Sequence, residues 1–333
     1  MNNDKVKQIL TSNEMIVACI IIGLCIIIGI VNPMFVGQHT AINLSRAMLV
    51  TLIFAIAEMI VIVSGGIDVS FPAVACISLY ATIKFMNANS IDSVLFAFAM
   101  SGGIGIVCGL LNAILVSKIK IPPLIATLGV SSLLNGITLA YLGAANISKI
   151  PDNVDSLSQQ FIYTYTNEAG IKYALTVLIL IPIVLYILAY VVLKYTMLGR
   201  GIYAIGGDKN AARIAGFNII KIQFIVYMTA GFLAGIGGMT YTILMRQAGP
   251  QSLMGAEMMV IAAIVIGGTR ITGGHGSVIG TLLGVTLIAL VQNNLIMLGV
   301  PTHFQTFIVG FIIVVGTVIT SIRVRYIDAK PKV

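Results

Sequence analysis

Residues 47–70 read Ala47-Met48-Leu49-Val50-Thr51-Leu52-Ile53-Phe54-Ala55-Ile56-Ala57-Glu58-Met59-Ile60-Val61-Ile62-Val63-Ser64-Gly65-Gly66-Ile67-Asp68-Val69-Ser70. From Ala47 to Ser64 the run carries one charge, Glu58. At ~1.5 Å per residue such a helix crosses nearly the whole ~30 Å hydrocarbon layer of a bilayer. The run then breaks at two glycines beside an ionisable residue, and a second apolar window begins at once. Long apolar helix, break, apolar helix is the grammar of a polytopic membrane protein.

Working outward, further apolar windows fall at about 15–31, 69–86, 94–116, 122–143, 171–193, 222–244, 256–268, 277–298 and 304–321. Hydrophobic residues make up 58% of the 333 positions and charged residues 9%, against roughly 25% charged in soluble domains. Ten spans of ~20 residues absorb that apolar content and leave no room for a second soluble domain of ordinary size. The expected fold is an all-α integral membrane bundle of about ten transmembrane helices. One transmembrane domain occupies 15–321, with tails at 1–14 and 322–333. Lys5 and Lys7 before the first run resemble the start of a signal peptide. The run is long for that, Glu14 opens it and no small-x-small site follows, so an uncleaved first span is expected.

Charge gives the orientation. With the N-terminus in the cytoplasm, ten spans place fourteen of the nineteen basic residues inside and five outside (Arg46, Lys84, Lys149, Lys172 and Arg246). The loop at 144–170, with Asp152, Asp155 and Glu168, falls outside. This satisfies the positive-inside rule, places both termini in the cytoplasm, and explains the net charge of +8 without a nucleic-acid partner. Cys19, Cys25, Cys76 and Cys108 lie in apolar runs, and His39, His275 and His303 are scattered, so neither a disulfide framework nor a metal site is expected. The chain lacks Trp, which leaves its twelve Tyr to anchor it at the interfaces.

Within the bundle, Gly105/Gly109, Gly231/Gly235, Gly276/Gly280 and Gly280/Gly284 have the small-xxx-small spacing that lets helices approach closely in lipid. Ala57-Glu58-Met59 leading to Gly65-Gly66, and Ala256-Glu257-Met258 leading to Gly267-Gly268, hint at repeated halves; chance use of small and apolar residues explains them equally well. At the break, Asp68 or Ser70 can cap the following helix with Pro72 in its first turn, or Asp68 can serve function as an intramembrane charge. Glu58, Asp68, Ser70, Glu257, Gln292, Asn293 and Asn294 are the candidates for a polar solute path, and each could instead join helices. In the loop 195–221, Asp208 can cap a short helix from Lys209 to Ala215 and Gly216 suits its left-handed end, which makes a docking knob on the cytoplasmic face. The glycine cluster 268–276 reads as a tight turn between helices. No Gly-x-x-x-x-Gly-Lys-Ser/Thr pattern occurs, so the chain is expected to be no enzyme, to hold no cofactor and to hydrolyse no ATP through a P-loop of its own.

Four blocks, in order, resemble the permease subunits of ribose-type ABC importers. They are Ser64 to Ser70, Lys120-Ile121-Pro122-Pro123-Leu124-Ile125-Ala126-Thr127-Leu128-Gly129, Tyr203 to Gly216, and Glu257 through Gly267-Gly268-Thr269 to Gly273-Gly274. The resemblance covers about 45–320. It implies two permeases forming the path, two cytoplasmic ATPase subunits that hydrolyse ATP, and an extracytoplasmic solute-binding protein, all at a bacterial cell membrane. It also implies that Gly206, Gly207, Asp208, Asn210, Ala211, Ala212, Arg213 and Gly216 belong to the ATPase-coupling segment. Phe71-Pro72 replaces the family's usual Val-Gly, and Glu58 stands where an uncharged residue is usual. Apart from the resemblance, the rival reading is a gradient-coupled secondary transporter using Glu58, Asp68 and Glu257.

Overall fold

The computed structural model describes residues 13–167 and 170–297, with six further helical positions between Phe304 and Val318. The tails at 1–12 and 319–333, Glu168, His303 and twelve of the eighteen positions of the window 304–321 lie outside the described residues. The helices are α1 (Asn13–Val31), α2 (Gln38–Val63), α3 (Phe71–Ala88), α4 (Val94–Ala113, extended by a π turn to Lys118) and α5 (Pro123–Ile137, extended likewise to Leu142). After a short α6 (Asp152–Ser156) and a hairpin come α7 (Leu180–Tyr195), α8 (Met197–Gly207), α9 (Lys209–Ile214), α10 (Ile219–Met245), α11 (Glu257–Ile266) and α12 (Val278–Met297).

Seven described helical stretches are long and apolar enough to cross a membrane: Asn13–Val31, Gln38–Val63, Phe71–Ala88, Val94–Lys118, Pro123–Leu142, Val177–Tyr195 and Ile219–Met245. The window 256–268 yields only the ten residues of α11, about 15 Å of helix and half a membrane. It ends where Gly267 and Gly268 release the chain into a turn. The seventeen residues Val278–Asn294 are apolar but shorter than the seven.

The expectation of an all-α chain needs one correction. Phe161–Thr166 (β1) pairs antiparallel with Lys172–Thr176 (β2), Thr166 opposite Lys172 and Phe161 opposite Thr176. The run Phe161-Ile162-Tyr163-Thr164-Tyr165-Thr166 is wholly aromatic and β-branched, the composition that suits a pleated surface, and Asn167 with Gly170 (φ +76°) supplies the turn. The apolar window at 171–193 therefore starts as a strand and becomes helical only from Val177. This end of the bundle is tied down. Ile147 and Ala248 exchange two backbone bonds of 2.9 Å, and Arg246 grips the Asp155 carboxylate, Nε to Oδ1 at 2.7 Å and Nη2 to Oδ2. The guanidinium holds the Asp155 carboxyl below its usual range.

The centre is α2 with α3, most of whose surface is buried, while α1 and α7 present most of theirs outward. The helix α10 lies against α4 with backbones touching: a Cβ on Gly105 would land on the Gly231 carbonyl, and one on Gly235 on the Ser101 carbonyl. The same geometry joins α11 to α12, where Gly267 and Gly280 face each other's carbonyls and Gly284 meets the Ala263 carbonyl. All the small-xxx-small glycines but Gly276, which packs side chains of Val63 and Thr269, thus sit at backbone contacts between helices. Gly105→Leu is expected to cost ~1–3 kcal/mol or more by overpacking, because a carbonyl cannot move aside as a side chain can. Gly103→Ala, with nothing within 4 Å of the added carbon, is the control. The folded yield of the two variants after detergent extraction, by size-exclusion profile, checks this.

Candidate functional site

Between α2 and α3 the chain runs without regular structure from Gly66 to Ser70, and its polar groups are gathered into one sealed knot. Glu58 Oε1 accepts the Asp68 backbone N–H at 3.0 Å. Asp68 Oδ1 accepts both the N–H and the hydroxyl of Ser70, at 2.7 and 2.6 Å. From α4, Asn112 Nδ2 donates to Ser70 Oγ at 2.7 Å and to Asp68 Oδ2 at 3.4 Å. From α5, Thr127 Oγ1 accepts the Val69 N–H at 3.3 Å and lies 3.0 Å from the Pro123 carbonyl. Tyr227 of α10 closes the remaining side, its hydroxyl 2.5 Å from where a Cβ on Gly66 would sit. Glu58, Asp68, Ser70, Asn112 and Thr127 are all at most 2% exposed. Pairing the backbone N–H groups of Asp68, Val69 and Ser70 is what makes a non-helical segment tolerable here. Glu58 Oε2, Asn112 Oδ1 and the Tyr227 hydroxyl are buried with no hydrogen-bond partner among the described residues.

The knot alters the capping expectation. Ser70 precedes α3 without a side-chain bond to it, because its hydroxyl is committed to Asp68. Of the seven candidates for a solute path, the structure joins Glu58, Asp68 and Ser70 and leaves the others apart. Glu257 Oε2 accepts the Gly255 N–H at 3.0 Å beside its own helix. Asn293 and Asn294 donate to carbonyls one turn back, and Gln292 reaches Met259 of α11. Asn112 and Tyr227 are not singled out by the sequence, and Thr127 enters there only as part of the Lys120–Gly129 block. Asn112 could have been, as a strongly polar side chain inside an apolar window. Tyr227 carried no such signal.

On the same side of the bundle three glycine turns meet backbone to backbone. Gly206 at the end of α8 is wedged between the Val63 carbonyl and the Gly274 amide, and the Gly274 N–H itself bonds to the Val63 carbonyl at 2.9 Å. Gly273 packs on Gly65, and Tyr203 donates to the Gly276 carbonyl at 2.8 Å. The turn 268–276 is therefore more than a connector: it clasps α8 to the end of α2. Asp68 follows Gly65 by three positions, so this joint and the polar knot are one continuous piece of structure.

Beyond the joint, Asp208 caps α9 as its sequence implied, Oδ1 accepting the N–H groups of Asn210 and Ala211 at 2.7 and 3.1 Å. Gly216 closes it at φ +88°. The helix is anchored by buried Ala212 and offers Ile214, 86% exposed, at its outer side.

The model of the family described as branched-chain amino acid transport system / permease component matches residues 40–316. The ribose import permease protein RbsC of Bacillus subtilis (strain 168) is 32% identical over 296 residues, 89% of this chain and 89% of that protein. The fructose import permease protein FruG of Bifidobacterium longum (strain NCC 2705) is 33% identical, over 80% of this chain and 78% of its own length. The autoinducer 2 import system permease protein LsrC of Photorhabdus luminescens is 29% identical, over 92% and 89%. No solved structure matches.

Proposed function

The chain belongs to the transport-system permease-component family, and from that premise we propose that it forms one membrane-spanning half of an ATP-binding-cassette importer for a small polyhydroxylated solute. The relatives named for ribose, fructose and autoinducer 2 support that solute class over a branched-chain amino acid. On this reading the chain sits in the cell membrane of a bacterium with both termini in the cytoplasm. Eight of the thirteen described basic residues lie at the end of the bundle that carries α8 and α9, which supports assigning that end to the cytoplasm. A second permease copy or paralogue, two cytoplasmic ATPase subunits and an extracytoplasmic solute-binding protein complete the machine. Neither a cofactor nor ATP hydrolysis is assigned to the chain itself.

The observation that carries the reading is the unbroken path from Ile214 through the capped α9 and Gly206 to Gly65 and Asp68. Closure of the ATPases on ATP would pull α9. The glycine joint admits no slack, so the pull would reach the non-helical segment between α2 and α3 and bias the bundle between outward-open and inward-open states. The coupling segment thus comprises Gly206, Gly207, Asp208, Asn210, Ala211, Ala212, Arg213 and Gly216, with Ile214 added as its docking anchor. Glu58, Asp68 and Ser70 hold the moving segment.

Ile214→Asp is expected to lower capture of the ATPase subunit at least about tenfold, the loss of ~2 kcal/mol typical of an interface anchor, with insertion unchanged. Co-purification from mild detergent reads this directly. Wild-type recovery of the ATPase by the variant would remove α9 from the interface.

A further inference from the structure

Beside α9, on its inner side, lies a cavity of about 670 Å³ bounded by the ends of three spans: the last turn of α4, the start of α5 and the start of α10. That volume is within the roughly 300–1,000 Å³ range of ligand pockets. Its lining includes Lys120, Lys209 and Arg213 and, among the described residues, no carboxylate. Lys209 and Arg213 are four apart on α9 and so share one face of it. Lys120 is held at φ +64°, a left-handed conformation rare for a lysine. Two long helices, α5 and α10, begin at the cavity and add the positive ends of their dipoles. Every charged side chain that lines it attracts an anion, and these outweigh the negative dipole end of α4 at the same cavity.

The outer wall has a different character. Leu124, Ile125 and Leu128 run up α5 from the mouth of the cavity, 44–63% exposed. A ligand suited to the whole surface carries an anionic head for the cavity and apolar chains for the helix above it. We propose that this cavity binds the phosphodiester headgroup of an anionic phospholipid, its acyl chains lying along α5. Basic pockets between membrane helices at their cytoplasmic ends have the charge and depth to select such headgroups over zwitterionic ones. The leaflet assignment rests on the topology proposed above; binding itself does not, and is read in detergent.

The test titrates the full-length chain, purified in mild detergent, with phosphatidylglycerol or phosphatidylcholine and counts retained lipid by native mass spectrometry. Phosphatidylglycerol should be retained several-fold more strongly. Lys120→Asn and Lys209→Gln should each weaken it about fivefold, the worth of one cation near a lipid headgroup. Asparagine tolerates the left-handed backbone at 120, so the charge is removed without added strain. Lys120→Arg should bind as wild type, and Lys149→Gln, at the other end of the bundle, should change nothing. Equal retention of the two lipids, or variants that bind as well as wild type, would overturn the proposal. Displacement of the lipid by millimolar inorganic phosphate would assign the cavity to a soluble anion instead. Expulsion of the lipid by the ATPase subunit would assign it to the protein interface, and both outcomes refute the lipid site.

Discussion

Gly206→Val is expected to abolish solute uptake while Gly207→Ala, one residue along, leaves it near wild type. The two glycines stand side by side in the coupling segment, and sequence gives no reason to rank them. A Cβ on Gly206 would occupy the position of the Val63 carbonyl and come within 2.5 Å of the Gly274 nitrogen, whereas a Cβ on Gly207 meets nothing within 4 Å. Both groups displaced at Gly206 are backbone and bond to each other. Overpacking costs ~1–3 kcal/mol, and prising apart a buried backbone bond adds ~1–3 kcal/mol more. Where that strain differs between two transport states by about 3 kcal/mol, their equilibrium shifts by over a hundredfold. Uptake by the two variants, normalised to membrane-inserted protein, reads the difference. Comparable uptake would mean that the joint transmits nothing.

The second large effect is at Asp68. Asp68→Ala removes the acceptor for the Ser70 N–H, the Ser70 hydroxyl and, at longer range, the Asn112 amide, none of which can reach water. Each buried donor left unpaired costs ~1–3 kcal/mol, so the segment is expected to lose on the order of 3–5 kcal/mol. The folded yield should collapse. Asp68→Asn keeps one carbonyl oxygen for Ser70 and should fall between. Glu58→Gln keeps the oxygen that accepts the Asp68 N–H and should be tolerated. Thermal unfolding in detergent orders the three variants, and a double-mutant cycle of Asp68→Ala with Asn112→Ala should show strong coupling, because the two share Ser70. A Glu58→Gln variant as damaged as Asp68→Ala would contradict a structural role for the knot.

Apolar runs were legible because spanning a bilayer demands length and composition, and both survive in one dimension. Of the windows, those over α3, α4 and α10 match their helices closely. Helix α2 begins at Gln38, nine residues before its window, because its first turns are polar. The window at 171–193 failed at its start because Lys172–Thr176 is as apolar as a helix turn and finds a strand partner ten residues upstream. Asp208 and Gly216 were legible for a local reason: a cap and a left-handed stop act within a few residues. The polar knot was half visible. Glu58, Asp68 and Ser70 stood out as polar groups at a helix break, but Asn112, Thr127 and Tyr227 come from three other helices, and only tertiary packing assembles them. The glycine joint joins positions 65, 206 and 274 and has no sequence signature beyond glycine itself. Ile214 looked like one more aliphatic residue until its exposure was known.

The most direct test of the account reconstitutes the permease in proteoliposomes with its co-purifying ATPase and solute-binding protein, and measures uptake of a labelled sugar with and without ATP and a protonophore. The account expects uptake that requires ATP and the ATPase and is indifferent to the protonophore. Uptake by the chain alone, driven without ATP and abolished by the protonophore, would contradict it and make Glu58 and Asp68 an ion-coupling pair.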